Sequence, residues 1–128
     1  MITVGQINSP QVRVSIFEKL KKHNAEIATI VFPRAYVSSS AHIGEGSIVM
    51  HDALIKAEAK VGANCIINTK VLIEHETVVS DNCHIAVGAV IAGGTVIEEN
   101  SFVGANATIV QYSNVPANSF IKACRIFK

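Results

Sequence analysis

The chain has 128 residues, enough for one compact domain with its own core. Hydrophobic residues make up 49% of it and aromatics only 5%, so its apolar content is mostly Val, Ile and Ala, which favours strands in a regular array over a large-ring core. A formal charge of +1 without a long basic run gives nucleic-acid binding no electrostatic support, and no stretch approaches the ~20 apolar residues of a membrane span.

The N-terminus has neither a charged leader nor a long apolar run, so it does not read as a signal peptide. Three cysteines without paired spacing suggest reduced thiols in a cytoplasmic protein. Ile2 to Val4 is expected to form a short strand. Ser9-Pro10 reads as a helix N-cap followed by its first turn. Val12, Ile16 and Leu20 then recur at spacing four beside Phe17, as on a buried helical face, with Lys19, Lys21 and Lys22 at the cation-favouring end. Ala25 to Phe32 reads as a second strand. Residues 1–33 are therefore expected to be a β-α-β segment, and residues 34–128 a separate repeat domain.

From Val37 onward every sixth residue is Val or Ile, through Ile55, Ile73, Ile91 and Ile109 to Ile121, without a slip. Four residues after each of these comes a small one, usually Ala, Ser, Thr or Cys, with Val71 and Arg125 the exceptions. Between the two, Gly46, Asn64, Asn82, Gly88, Gly94, Asn100, Asn106 and Asn118 stand where a tight corner needs a left-handed backbone. A large aliphatic and a small residue four apart lie on one side of an extended strand. Three such sides make a coil of 18 residues, and stacked coils share one interior column in a parallel β-helix of about five coils. Cys65 and Cys83 are 18 apart, so they should stack inside neighbouring coils as small fillers.

One stretch departs from this monotony. His75 is third in its hexad and should face outward, and Glu76 beside it can hold the imidazole in one tautomer. His84 lies nine residues on, half a coil away. His51-Asp52 repeats the His-acid pair at the same hexad position, so the pair alone is not specific; His51 is one coil plus one side from His75 and faces a different wall. His42 and His23 have no such setting. Val79 stands where the zinc-protease helix motif beginning at His75-Glu76 needs its second histidine, two histidines nine apart make a weak metal set, and no metal is expected.

The run Asn68-Thr69, Ile73-Glu74-His75-Glu76, His84, Val87-Gly88-Ala89, Ala92-Gly93-Gly94 and Phe102-Val103-Gly104-Ala105-Asn106 resembles bacterial sugar acetyltransferases of the sialic-acid O-acetyltransferase type. These include N-acetyltransferases of nucleotide-linked 4-amino sugars. The resemblance covers about residues 31–115, and residues 1–32 look like the last piece of that family's sugar-nucleotide domain. It implies a left-handed β-helix and an acetyl-CoA-dependent acetyltransferase of a sugar or nucleotide-sugar. His75 is then the general base and Glu76 its orienting partner. Asn68 and His84 line the acetyl site. The Gly93 N–H binds the oxyanion, and Gly94, Ala105, Lys122 and Arg125 lie along CoA. It further implies a cytoplasmic homotrimer with sites between subunits. The family's Gly-rich nucleotide-binding start and its Gly-x-Pro-Ala tail are not matched, so nucleotide recognition is expected to be poor. A catalytically idle trimeric scaffold and a zinc hydratase are the competing expectations.

Overall fold

A computed structural model describes residues Met1 to Lys128. One helix, Gln11–Lys22, precedes seventeen two-residue strands. Each strand pairs in parallel with those 18 residues away: Ile48 with Ile66, His84 with Phe102, Leu54 with Leu72, Val78 with Val96. The strands form three flat walls of six, six and five members, wound into a left-handed β-helix of about five coils. Wall one runs from Ile30–Val31 to Phe120–Ile121, wall two from Tyr36–Val37 to Ile126–Phe127, and wall three from His42–Ile43 to Asn114–Val115.

The six-residue rule accounts for this geometry. Each large aliphatic position from Val49 to Val115 is buried in a single column. Every sixth residue from Gly46 to Cys124 has a positive φ, so all these corners turn through the left-handed region. Asn and Gly take that conformation readily, whereas at Asp52, Glu58, Lys70, Glu76, Tyr112 and Cys124 the fold imposes it on residues for which it costs roughly 1–2 kcal/mol each. The small polar interior residues are satisfied. The Ser47 hydroxyl donates to the Gly62 carbonyl at 2.7 Å, and the Cys65 and Cys83 thiols donate to the Ser80 and Glu98 carbonyls. Burial pushes both thiols up, which keeps them protonated packing groups.

The N-terminal segment differs from expectation. Neither Ile2–Val4 nor the whole of Ala25–Phe32 is a strand; only Ile30–Val31 is, and it pairs with Ile48–Val49 as the first rung of wall one. The hexad phase thus reaches back to Val31, ahead of the boundary drawn at residue 33. The cap position falls at Pro10 and not at Ser9 as expected: the Pro10 carbonyl accepts the first helical bond, from the Val14 N–H at 2.9 Å, while the Ser9 hydroxyl just outside accepts the Gln11 N–H at 3.2 Å. The buried face is rotated from the expected one. Val12 is exposed, and Arg13 is the residue turned inward, above half-buried Ile16, Phe17 and Leu20.

Arg13 is 1% exposed and meets no carboxylate. Its guanidinium donates to four backbone carbonyls: Ile2 at 2.7 Å, Val4 at 3.1 Å, Gly46 at 3.2 Å and Asn64 at 3.3 Å. The last two belong to the corner between walls three and one, so one side chain rivets the N-terminal segment to the coil. Gln6 adds a second rivet, its Nε2 donating to the Asn82 carbonyl. Arg13→Ala should lower unfolding free energy by about 3 kcal/mol, because it orphans buried acceptors and opens a cavity. Urea melts of both proteins measure this; coincident midpoints would mean that Arg13 ties nothing down.

Candidate functional site

His75 and Glu76 sit at the corner between walls two and three, after the strand Leu72–Ile73. Period six makes this local: position three of a hexad points out and position four turns the chain. The His75 Nδ1–H donates to Glu76 Oε2 at 3.3 Å, and the two side chains are 50% and 67% exposed. That contact leaves Nε2 as the nitrogen with a free lone pair.

Gly93 lies one coil above His75. A Cβ placed on Gly93 would stand 2.8 Å from both Cε1 and Nε2 of the imidazole, so the ring occupies the space that a side chain there would fill. The Gly93 carbonyl accepts the Tyr112 N–H at 3.1 Å, while its own N–H has no acceptor in the chain. Gly94 donates its N–H to the His75 carbonyl at 3.0 Å, and the Tyr112 ring fills the space above it. His75, Glu76, Gly93 and Gly94 therefore form one cluster: a proton acceptor, its carboxylate partner and an unsatisfied N–H beside them. Such a set can take a proton from a nucleophile and stabilise charge on an oxygen.

The other sequence-derived residues gather elsewhere. Asn68 and His84 lie beside wall one, with Asn68 at the corner between walls one and two. The His84 Nδ1–H donates to the Gln6 carbonyl at 2.5 Å, and Nε2 accepts from Asn68 Nδ2 at 3.3 Å. The ring is 8% exposed and edge-on to Phe102. Both ring nitrogens are thus engaged within the chain, and the N-terminal segment covers the ring. A cavity of 330 Å³ under that segment is lined by Ile2, Arg13, Ile48, Met50, Asn68 and His84 among others. Ala105 occupies the same corner as Asn68, two coils up, with Lys122 on the coil above it. Lys122 and Arg125 line an open groove of 390 Å³ at the last coil with Phe120 and Phe127. Within one chain the two clusters stand on opposite edges of wall two.

The control pair His51-Asp52 does not form the contact that His75 and Glu76 make. The His51 ring packs on Phe32 at 4.3 Å between centroids, while Asp52 pairs with Arg34 instead. No group of three or more His, Cys, Asp and Glu is arranged to hold a metal ion. Sequence reasoning passed over Arg13, Gln6 and Tyr112. For Tyr112 a signal existed: a large aromatic at a hexad position given elsewhere mostly to Asn and Gly.

Burial lowers the His84 pKa, the bond to the Gln6 carbonyl raises it, and the nearby Arg13 charge lowers it again, with a net depression from 6.5. The unfolded chain therefore takes up a proton that the folded chain refuses. Stability should be full above about pH 6.5 and decline as pH falls from there towards the depressed folded value. Protonated Nε2 would also confront the Asn68 NH₂ group. His84→Asn should flatten this acid limb of the stability curve; the same pH slope in both proteins would remove His84 from the account.

Within this parallel left-handed β-helix, residues 76–111 match the family described as bacterial transferase hexapeptide (six repeats). Among solved structures, the chain is similar to the acetyltransferase domain of PglB from Neisseria gonorrhoeae, with a TM-score of 0.92 and 29% identity over 95% of this chain and 60% of that one. The same domain in complex with acetyl coenzyme A superposes with a TM-score of 0.89 at 30% identity, covering 92% of this chain and 58% of that one. A variant of perosamine N-acetyltransferase from Caulobacter crescentus, with a histidine replaced by asparagine, is bound to CoA and GDP-perosamine. It gives a TM-score of 0.90 at 25% identity over 95% of this chain and 58% of that one. The chain thus spans less than two thirds of the length of these relatives. No curated protein sequence matches it.

Proposed function

We propose that the chain is an acetyl-CoA-dependent acetyltransferase acting on an amino or hydroxyl group of a sugar or nucleotide-sugar, with His75 as general base. The observation that carries this reading is the stacking of the His75 ring on Gly93, with Nδ1 on Glu76 and the Gly93 N–H unpaired. The similarity to relatives bound to acetyl-CoA, or to CoA and GDP-perosamine, supports the donor and the acceptor class.

His75 Nε2 takes a proton from the acceptor nitrogen or oxygen as it attacks the thioester carbonyl carbon. The carbonyl oxygen becomes an oxyanion and is held by the Gly93 N–H. Collapse of this intermediate breaks the C–S bond, and the departing thiolate recovers the proton from His75. Glu76 keeps the ring in the Nδ1–H tautomer throughout. Asn68 and Ala105 line the other side of the cleft, and His84, covered by the N-terminal segment, supports Asn68 from beneath. Lys122 and Arg125 meet the phosphates of CoA.

The two clusters need a second chain to meet. The outward face of wall two carries Tyr36, Leu54, Leu72, Val90, Thr108 and Ile126, an apolar column flanked by both corners. Wall three presents a mixed column instead, with His42, Lys60 and Asn114 around Val78 and Val96. Three copies with wall two turned towards a threefold axis bury this column and set the His75 corner of one against the Asn68 corner of the next. Residues 1–33 belong, on this reading, to a sugar-nucleotide domain, and the protein works in the cytoplasm.

The test is release of CoA thiol from acetyl-CoA by the purified chain over a panel of amino sugars, with the mass measured by analytical ultracentrifugation. Turnover by a trimer supports the reading. A trimer without turnover leaves an idle scaffold, and a stable monomer at micromolar concentration removes the composite site.

A further inference from the structure

We propose that Tyr112 is the residue that seats the thioester end of the acyl donor above Gly93. This rests on the acetyltransferase reading and adds to it the side from which the donor enters and the group that holds it.

The corner between walls two and three changes character at Gly93. Below it lie Lys56 and three carboxylates, Glu58, Glu74 and Glu76. Above it, Ala92, Gly93, Gly94, Val110, Gln111 and Tyr112 carry no charge, and the only charged side chain is the cation Lys128 on the coil above Val110. An acceptor amine, cationic before it gives up its proton, is drawn to the acidic lower half. The neutral methylene and amide chain of the donor is suited to the upper half, away from carboxylates that would repel its phosphates.

Tyr112 is the one aromatic group on that upper half. It is 74% exposed, so no core packing explains it. Its backbone is in the left-handed region at φ 59, a conformation unfavourable for an aromatic residue. Its ring nevertheless lies over Gly94, where an added Cβ would come within 2.4 Å of ring carbon Cδ1. Gly93 and Gly94 are thus cleared by two rings from opposite directions, His75 from below and Tyr112 from above. The Tyr112 N–H also holds the Gly93 carbonyl, anchoring the Gly93–Gly94 peptide that directly follows the Gly93 N–H. An exposed ring in this place offers an apolar face to the donor chain next to its thioester, with the phenol able to reach an amide of the chain.

The test uses Tyr112→Asn and Tyr112→Phe. Asn suits the left-handed corner, as at Asn64, Asn82, Asn100 and Asn118, so the coil should fold unchanged. Acetyl-CoA affinity by calorimetry, and KM for each substrate, are measured on all three proteins. Tyr112→Asn should raise both the Kd and the KM for acetyl-CoA about tenfold and leave the acceptor KM unchanged. Tyr112→Phe, which keeps the ring, should retain wild-type values. A rise in the acceptor KM alone, unchanged acetyl-CoA affinity in Tyr112→Asn, or a Phe variant as weak as the Asn variant overturns the assignment. A wild-type chain that binds no acetyl-CoA overturns the acetyltransferase reading itself, and Tyr112's role with it.

Discussion

His75→Ala is expected to lower turnover by ~10²–10⁴, the range for loss of a positioned general base. The side chain is half exposed, bonded only to Glu76 and resting on the open surface of Gly93, so the variant should fold with nearly unchanged stability. Loss of rate then reports chemistry and not unfolding. Glu76→Gln should cost less, since an amide oxygen can still accept the Nδ1–H but no longer opposes the charge that the ring acquires. His51→Ala is the matched control. It removes a histidine from the same hexad position and with it a contact to Phe32, so a small drop in stability with full turnover is expected. Purified His75→Ala with wild-type activity would reject the mechanism.

Gly93→Ala should be nearly as damaging, though it deletes nothing. Gly93 does not have a positive φ, so alanine meets no backbone strain, but its Cβ would stand 2.8 Å from the imidazole. The ring is the far end of a side chain with room to rotate outward, and moving it off its rotamer costs only about 1 kcal/mol. The fold should therefore survive with a melting midpoint close to wild type. The rotated ring no longer holds Nε2 in register with the Gly93 N–H, and a misplacement of ~1 Å is worth ~10² in rate. Gly5→Ala, where the added methyl meets nothing within 4 Å, is the control for a harmless glycine replacement. Turnover of Gly93→Ala within about threefold of wild type would separate His75 from Gly93 and dissolve the cluster.

These two expectations could be framed because the vertical neighbours in a coil of fixed period are readable in one dimension. Residues 18 apart are stacked, so His75 under Gly93 and Cys65 under Cys83 follow from counting, as do the outward setting of His75 and the different wall of His51. The amino-acid sequence by itself determined the period, the buried column from Val49 to Val115 and the left-handed corners, because each depends only on alternation and on local backbone preference repeated without a slip. The tertiary structure alone decided what lies across the chain from that ladder. Nothing in the helical spacing of Val12, Ile16 and Leu20 says that the face will rotate to put Arg13 inside. The decisive partners are backbone carbonyls of Gly46 and Asn64, and carbonyls leave no mark in a sequence. For the same reason His84, a site residue by resemblance, is found under the N-terminal segment with its Nδ1–H on the Gln6 carbonyl, a contact across 78 residues that no local pattern encodes.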